Sequence, residues 1–267
     1  MFAERMCADH LLPDPARRRC ASAPAESLAA IAILRELPHD VLVSLSRRCA
    51  WRRFGAGQTI LHCGDNRRAV FFVVQGRASV LYNSACGREV RFGDLQAGDV
   101  FGEFAAIDGA PHTADVVCVA NALVAVMPAE LFRDVLRQNE SVSVAVLRRL
   151  TGIARAMSRR VVEFSTLAVR HRVHAELLRL ARIDATDRMQ PSAIIAPAPT
   201  NAEIASRIST HREAVSRELA ELMRHGLIER RGGALILHDV RALAGMVEQV
   251  LEESPIAPGT AGAVSSC

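Results

Sequence analysis

Between residues 49 and 128 the apolar positions come in short runs, at 70–74, 79–82, 116–119 and 123–127. The glycines Gly55, Gly57, Gly64, Gly76, Gly87, Gly93, Gly98 and Gly109 punctuate this region. Short apolar runs with frequent turn residues are the pattern of a β-sandwich or small barrel. A brief helical pattern at 27–48 precedes them. After Pro128 glycine nearly vanishes, and Val146, Leu150, Ile153, Met157, Val161 and Phe164 recur at spacings of three and four. Their mean lies near the ~3.5-residue period of a coiled-coil seam. A long helix is predicted there, either paired in parallel with a second copy or packed on its own barrel. Arg148, Arg149, Arg155, Arg159 and Arg160 flank the seam. Gly152 within it costs about 1 kcal/mol relative to alanine, which marks a point of close approach.

The last third carries the most specific pattern. Thr200-Asn-Ala-Glu203 has the form of a capping box, in which hydroxyl and carboxylate satisfy each other's backbone N–H groups. It opens a helix with Ile204, Ala205 and Ile208 on one face, and Ser209 ends it. Thr210-His-Arg-Glu213 has the same form and opens a second helix with Val215, Leu219 and Leu222 inward. Two short helices joined by a tight turn predict a helix-turn-helix. Leu227-Ile-Glu-Arg-Arg231 and Ala234-Leu-Ile-Leu237, either side of Gly232-Gly233, then read as a hairpin with a two-residue loop. A helix-turn-helix followed by a hairpin is a winged helix.

Composition narrows the class. The chain has 267 residues, half of them apolar and 23% charged, which fits two modest domains with tails and excludes a disulfide-stapled miniprotein or a wholly disordered chain. No stretch approaches the ~18 consecutive apolar residues of a membrane span, and Glu4, Arg5 and Asp9 interrupt any signal-peptide core. A cytoplasmic protein with no membrane partner is expected. The seven cysteines, at positions 7, 20, 49, 63, 86, 118 and 267, show no paired spacing, so neither a zinc site nor a disulfide framework is legible. All 33 basic residues are arginine. Residues 170–241 hold twelve of them against nine acids, a mild basic excess of the sort that nucleic-acid binding uses.

On the second predicted helix, Arg212, Glu213, Ser216 and Arg217 share a face at about 100° per residue, with His211 at its start. Arginine pairs bidentately with guanine O6 and N7, and glutamate accepts from cytosine N4. This face can therefore read G·C pairs in a major groove. The same residues also suit a solvated face in which Glu213 pairs with Arg217 at i,i+4.

These motifs, together with Gly102-Glu-Phe-Ala-Ala-Ile-Asp-Gly-Ala-Pro-His-Thr-Ala114, resemble the cyclic-AMP receptor protein and fumarate-nitrate reductase regulator family of bacterial transcription factors, over about residues 30–240. The resemblance implies an α+β fold: an N-terminal double-stranded β-roll, a long dimerisation helix and a C-terminal winged helix-turn-helix. It places Arg212, Glu213 and Arg217 at the family's three base-reading positions. It also makes residues 102–114 a phosphate-binding cassette for a cyclic nucleotide, cyclic AMP or cyclic GMP. There Gly102 admits backbone N–H groups to a phosphate, Glu103 accepts from a ribose hydroxyl, Phe104 completes the motif, and Thr113 donates to an equatorial oxygen. Where the family has the arginine that neutralises the cyclic phosphate, this sequence has His112, which lacks the bidentate fork. The two adenine-contacting hydroxyl positions fall at Met157 and Ser158, and only Ser158 keeps a hydroxyl.

The partners implied are double-stranded DNA with a palindromic site, a second copy of the chain, and RNA polymerase. An iron-sulfur centre is not expected, because Cys7 and Cys20 do not cluster with Cys49 and Cys63. A haem axial ligand at His62 or His112 is disfavoured, and His62, Glu103 and His112 do not spell a catalytic metal site. No enzymatic activity is expected. The expected organisation is a disordered tail over 1–26, an effector-sensing β-roll over 27–128, a dimerisation helix over 129–168, a winged helix-turn-helix over 169–241 and a C-terminal tail over 242–267. Two functions stay open: an effector-responsive regulator, and a ligand-independent DNA-binding regulator with a degenerate cassette.

Overall fold

The computed structural model describes residues 26–84, 89–183 and 192–252. Of the expected tails, residues 1–25 of the 1–26 segment and the part of 242–267 beyond 252 lie outside the described residues, whereas Glu26 already belongs to a helix. The chain forms two compact units that divide within one long helix, between Arg149 and Leu150, with Asn83–Arg91 grouped with the second.

The first unit opens with α1 (Glu26–Ala29) and α2 (His39–Arg48), two pieces where the helical pattern at 27–48 suggested one. Then follow β1 (Ala50–Phe54), β2 (Thr59–Leu61), β3 (Ala69–Asn83), β4 (Glu89–Gln96), β5 (Val100–Phe101), α3 (Glu103–Asp108) and β6 (Asp115–Pro128). The sheet order is β1-β6-β3-β4, with β2 on β6 and β5 on β3. The apolar runs read as four short strands are two long ones, because Gly76 bends the chain without turning it. Its φ is +86°, and a Cβ there would lie 2.1 Å from the Asn121 carbonyl oxygen. The register of β3 against β6 shifts between Val73 and Ala78, the bulged geometry that lets a long strand curl over its own core. That core holds Phe54, Ile60, Phe71, Phe101, Val116 and Val124. Cys118 is packed among them, and burial pushes the Cys49 thiol up to about 12, so both behave as small apolar residues.

The predicted helix over 129–168 is also two, α4 (Ala129–Gln138) and α5 (Glu140–Thr166). Asn139 stops the first: its backbone is extended and its side-chain amide donates to the Val135 carbonyl at 2.9 Å, a local bond that competes with helix continuation. Val142 and Val146 of α5 are buried, but Leu147 and Val161 of the seam region are 62% and 63% exposed. A Cβ on Gly152 would meet nothing within 4 Å, so no close approach within the chain requires that glycine.

The second unit contains α6 (Val169–Leu180), β7 (Arg182–Ile183), β8 (Ala193–Ile195), α7 (Asn201–Arg207), α8 (Arg212–Arg224), β9 (Ile228–Arg231), β10 (Ala234–Leu237) and α9 (Val240–Glu252). Its sheet runs β7-β8-β10-β9. Val173, Leu177, Ile204, Val215, Leu219 and Leu235 form the core beneath it. Both hairpin glycines have positive φ, +59° and +77°, as a tight two-residue hairpin loop demands. Buried Glu176 ties α6 to α7 through Arg207 at 3.5 Å and also binds Arg179 of its own helix. The C-terminal tail expected from 242 is corrected as far as Glu252. Leu243, Val247, Val250 and Leu251 repeat at helical spacing; Leu243 and Val247 are buried, and Val247, Val250 and Leu251 pack against the helix α6 cluster of Ala175 and Leu178.

Candidate functional site

The presentation of α8 begins with its supports. The capping box on α7 forms: Thr200 Oγ1 accepts from the Glu203 N–H at 3.2 Å, and Glu203 accepts from the Thr200 N–H at 2.8 Å. Ser209 takes a left-handed φ of +51°, and Arg172 donates to the Ile208 carbonyl at 3.0 Å, which fixes the turn into α8. The second capping box does not form. The N-cap of α8 is His211, with no side-chain cap bond, so Glu213 stands one position too early to serve as the returning N3 carboxylate.

Glu213 instead pairs with Arg212, Nε to Oε1 at 2.9 Å. That bond, with one from its own backbone N–H, holds its carboxyl below the ordinary value, so it stays an anionic acceptor. Arg212 and Glu213 are 77% and 63% exposed, and His211, Ser216 and Arg217 are exposed as well. Behind them Val215, Leu219 and Leu222 are buried. On the flank of the helix, His174 Nε2 of α6 donates to Glu218 Oε1 at 2.7 Å. His171, one turn earlier, accepts from Arg170 at 3.1 Å, and burial first, then the Arg170 charge, lowers its pKa. His174, Glu218 and Arg172 were missed at sequence level. Their partners lie 36 to 44 residues away, and no local pattern announces such pairs.

The cassette gathers at the start of α3. Gly102 has φ +81°. A Cβ there would come within 3.0 Å of the Ala69 carbonyl oxygen and the Phe71 ring and 3.3 Å of His112, so only glycine fits. Glu103 is buried, and its Oε1 accepts from Arg149 Nε at 3.3 Å. Arg149 also donates to the Val100 carbonyl. His112 is 6% exposed, and its Nε2 lies 2.7 Å from the Arg67 carbonyl oxygen. A carbonyl only accepts, so Nε2 carries the proton. Phe104 and Thr113 are exposed. Gly102, Glu103 and His112 thus come together; Arg149, the partner of Glu103, was missed because it lies 46 residues away. Ser158 belongs to the second unit, exposed on α5, and donates to the Ala154 carbonyl at 3.0 Å. Among the described residues no group of three histidine, cysteine or acidic side chains is arranged to hold a metal ion, and no helix is long and apolar enough to cross a membrane.

Comparison with known proteins agrees with both halves. Residues 51–139 match the cyclic nucleotide-binding domain, and residues 171–246 match the Crp-like helix-turn-helix domain. The cAMP-activated global transcriptional regulator Vfr of Pseudomonas aeruginosa is 28% identical over 209 residues, 75% of this chain and 94% of that protein. The cAMP-activated global transcriptional regulator CRP of Haemophilus influenzae is 25% identical over 199 residues, covering 72% and 86%. Among solved structures, a CooA mutant from Carboxydothermus hydrogenoformans shares the fold at a TM-score of 0.65, with 18% identity over 75% of this chain and 88% of that one. A CRP-family transcriptional regulator of Thermus thermophilus does so at 0.56, with 25% identity over 73% and 96%.

Proposed function

Because the chain belongs to the cyclic-AMP receptor protein and fumarate-nitrate reductase regulator family of bacterial transcription factors, we propose that it acts in the cytoplasm as a homodimeric, effector-responsive regulator of a palindromic DNA site. The observation that carries the reading is the α8 face. Arg212, Glu213, Ser216 and Arg217 stand outward over a buried apolar stripe, so the helix can enter a major groove without giving up packing. Arg212 and Arg217 read guanine edges and Glu213 reads cytosine N4, with His211 and Ser216 at the margin of the contact. The exposed apolar residues of α5 supply the seam for the second copy, and Gly152, open on its own chain, admits the partner helix. Two recognition helices then lie about one helical turn apart on DNA. RNA polymerase is the protein partner through which such a regulator acts on transcription.

The effector proposed first is a cyclic nucleotide. Cyclic AMP has the stronger support, since the relatives are named as cAMP-activated. Gly102 supports such a ligand as the glycine that opens the cassette, in a left-handed conformation at the start of α3. Glu103 is the acceptor for the ribose hydroxyl and Thr113 the donor to the phosphate. A second reading is favoured by one observation: His112, with its Nε2 already on the Arg67 carbonyl, supplies no fork for the phosphate. In that reading the cassette binds nothing and DNA binding is ligand-independent. Calorimetric titration of the full chain with cyclic AMP and cyclic GMP decides between them. Saturable binding of either supports the first reading, and no heat with either supports the second.

A further inference from the structure

We propose that His174 is a positioning residue for DNA reading: through Glu218 it sets the rotation of α8, and with it the aim of Arg212, Glu213 and Arg217, without touching a base. This role rests on the reading of α8 as the recognition helix. The inward stripe of Val215, Leu219 and Leu222 is buried, but apolar burial is non-directional and does not by itself fix how far a helix turns about its axis. The bond from His174 is directional. His174 Nε2 donates to Glu218 Oε1 at 2.7 Å, with side chains 5% and 17% exposed. The other side-chain hydrogen bonds of α8, Arg212 with Glu213 and Arg224 with Glu221, stay within the helix. Among the described residues the bond from His174 is therefore the one that ties a side chain of α8 to another helix.

The anchor sits in the core. Val173 and Leu177, on the same helix as His174, are fully buried there, and the His171 ring meets the His174 ring edge-on at 5.9 Å. His174 Nδ1 is buried and has no hydrogen-bond partner among the described residues, so the polar bond that directs the ring goes to Glu218. At about 100° per residue, Glu218 stands about 60° from Val215 and about 100° from Arg217, on the border between the apolar stripe and the reading face. Holding or releasing that border turns the whole face. With side chains the helix is about 5 to 6 Å in radius, and a turn of about 15° carries a tip by about 1.5 Å, beyond what a base-edge hydrogen bond tolerates.

Base preference of the full chain is the test, read by fluorescence anisotropy with cyclic AMP present throughout. The duplexes are a palindrome obtained by selection, the same palindrome with single base pairs exchanged, and a nonspecific sequence. Glu218→Ala should lower the ratio of cognate to nonspecific affinity by about tenfold, as loss of one charged hydrogen bond predicts. It should relax preference at the base pairs that Arg217→Ala relaxes and leave nonspecific affinity unchanged. Glu218→Gln keeps an accepting oxygen and should retain most of the ratio, whereas His174→Phe, a ring without a donor, should match Glu218→Ala. In the double variant Glu218→Ala with Arg217→Ala the losses should fall short of their product, because the two residues act as one unit. Should His174→Phe fail to fold, the two Glu218 variants carry the comparison at a partly exposed position. The proposal is overturned if Glu218→Ala leaves base preference intact, if cognate and nonspecific affinity fall together, if Glu218→Gln is as damaging as Glu218→Ala, or if the losses in the double variant multiply. Relaxed preference with Arg217→Ala but not with Glu218→Ala removes the positioning role alone. Unchanged preference with Arg217→Ala removes the recognition-helix reading and the positioning role with it.

Discussion

On the reading face of α8 the charged side chains Arg212, Glu213 and Arg217 are exposed, and the ion pair of Arg212 with Glu213 is mostly exposed. In the cassette Glu103 and His112 are buried and already bonded to protein groups, Arg149 and the Arg67 carbonyl. DNA can be met without breaking an internal bond, because exposed ion pairs contribute little and base edges replace water. A nucleotide entering the cassette must compete with Arg149 for the Glu103 carboxylate, and it finds the His112 ring engaged elsewhere. One family's two sites can therefore be physically unequal in one chain: one is presented, the other is closed on itself.

Stability breaks this comparison most directly. Arg149→Ala leaves Glu103 buried without its cation and should cost about 3 kcal/mol in urea unfolding, while Arg212→Ala should stay within about 0.5 kcal/mol. Equal losses would mean that the two pairs are alike in burial. Next in size is readout. Arg217→Ala should weaken the cognate duplex by about 1 to 3 kcal/mol and relax preference at one base pair, with nonspecific binding little changed. A uniform loss on all sequences would make Arg217 a phosphate contact. In the cassette, His112→Arg should restore the missing fork and tighten cyclic-nucleotide binding by about tenfold, as one charge-assisted bond predicts, and calorimetry on both proteins measures it.

The smallest effect concerns pH. His171 has a folded pKa below the unfolded one, so the folded domain resists a proton that the unfolded chain accepts. Its contribution is complete above about pH 6.5 and is lost as pH falls toward the folded value. Urea unfolding at about pH 7.5 and about pH 5.5 should show lower stability at the acid value, and His171→Gln should flatten the difference.

What was legible in the sequence is what short-range chemistry encodes. The Thr200 capping box, the Ser209 break, the Gly232-Gly233 hairpin and the inward triad of Val215, Leu219 and Leu222 all rest on spacings of a few residues, and all are present. Other local readings failed where a neighbour decided otherwise. Thr210 and Glu213 have capping-box spacing, but α8 starts one residue later. Gly76 has turn chemistry, but the close Asn121 backbone makes it a bend within a strand. The apolar spacing that makes α9 was overlooked beside the small residues that follow it. The bonds of Glu103 with Arg149, His112 with the Arg67 carbonyl and His174 with Glu218 span 44 to 46 residues. No periodicity carries such pairings, and they are the ones that set the cassette and the helix apart.

The central claim, a dimeric regulator that presents one DNA-reading helix per chain and answers to a cyclic nucleotide, is tested most directly by one titration. The full chain is titrated, with and without cyclic AMP, against a palindromic duplex obtained by selection, beside the same duplex with one half-site scrambled, and fluorescence anisotropy is read. The account predicts tight binding to the intact palindrome, much weaker binding to the single half-site, and a further gain with cyclic AMP. Equal affinity for both duplexes, unmoved by cyclic AMP, would contradict it.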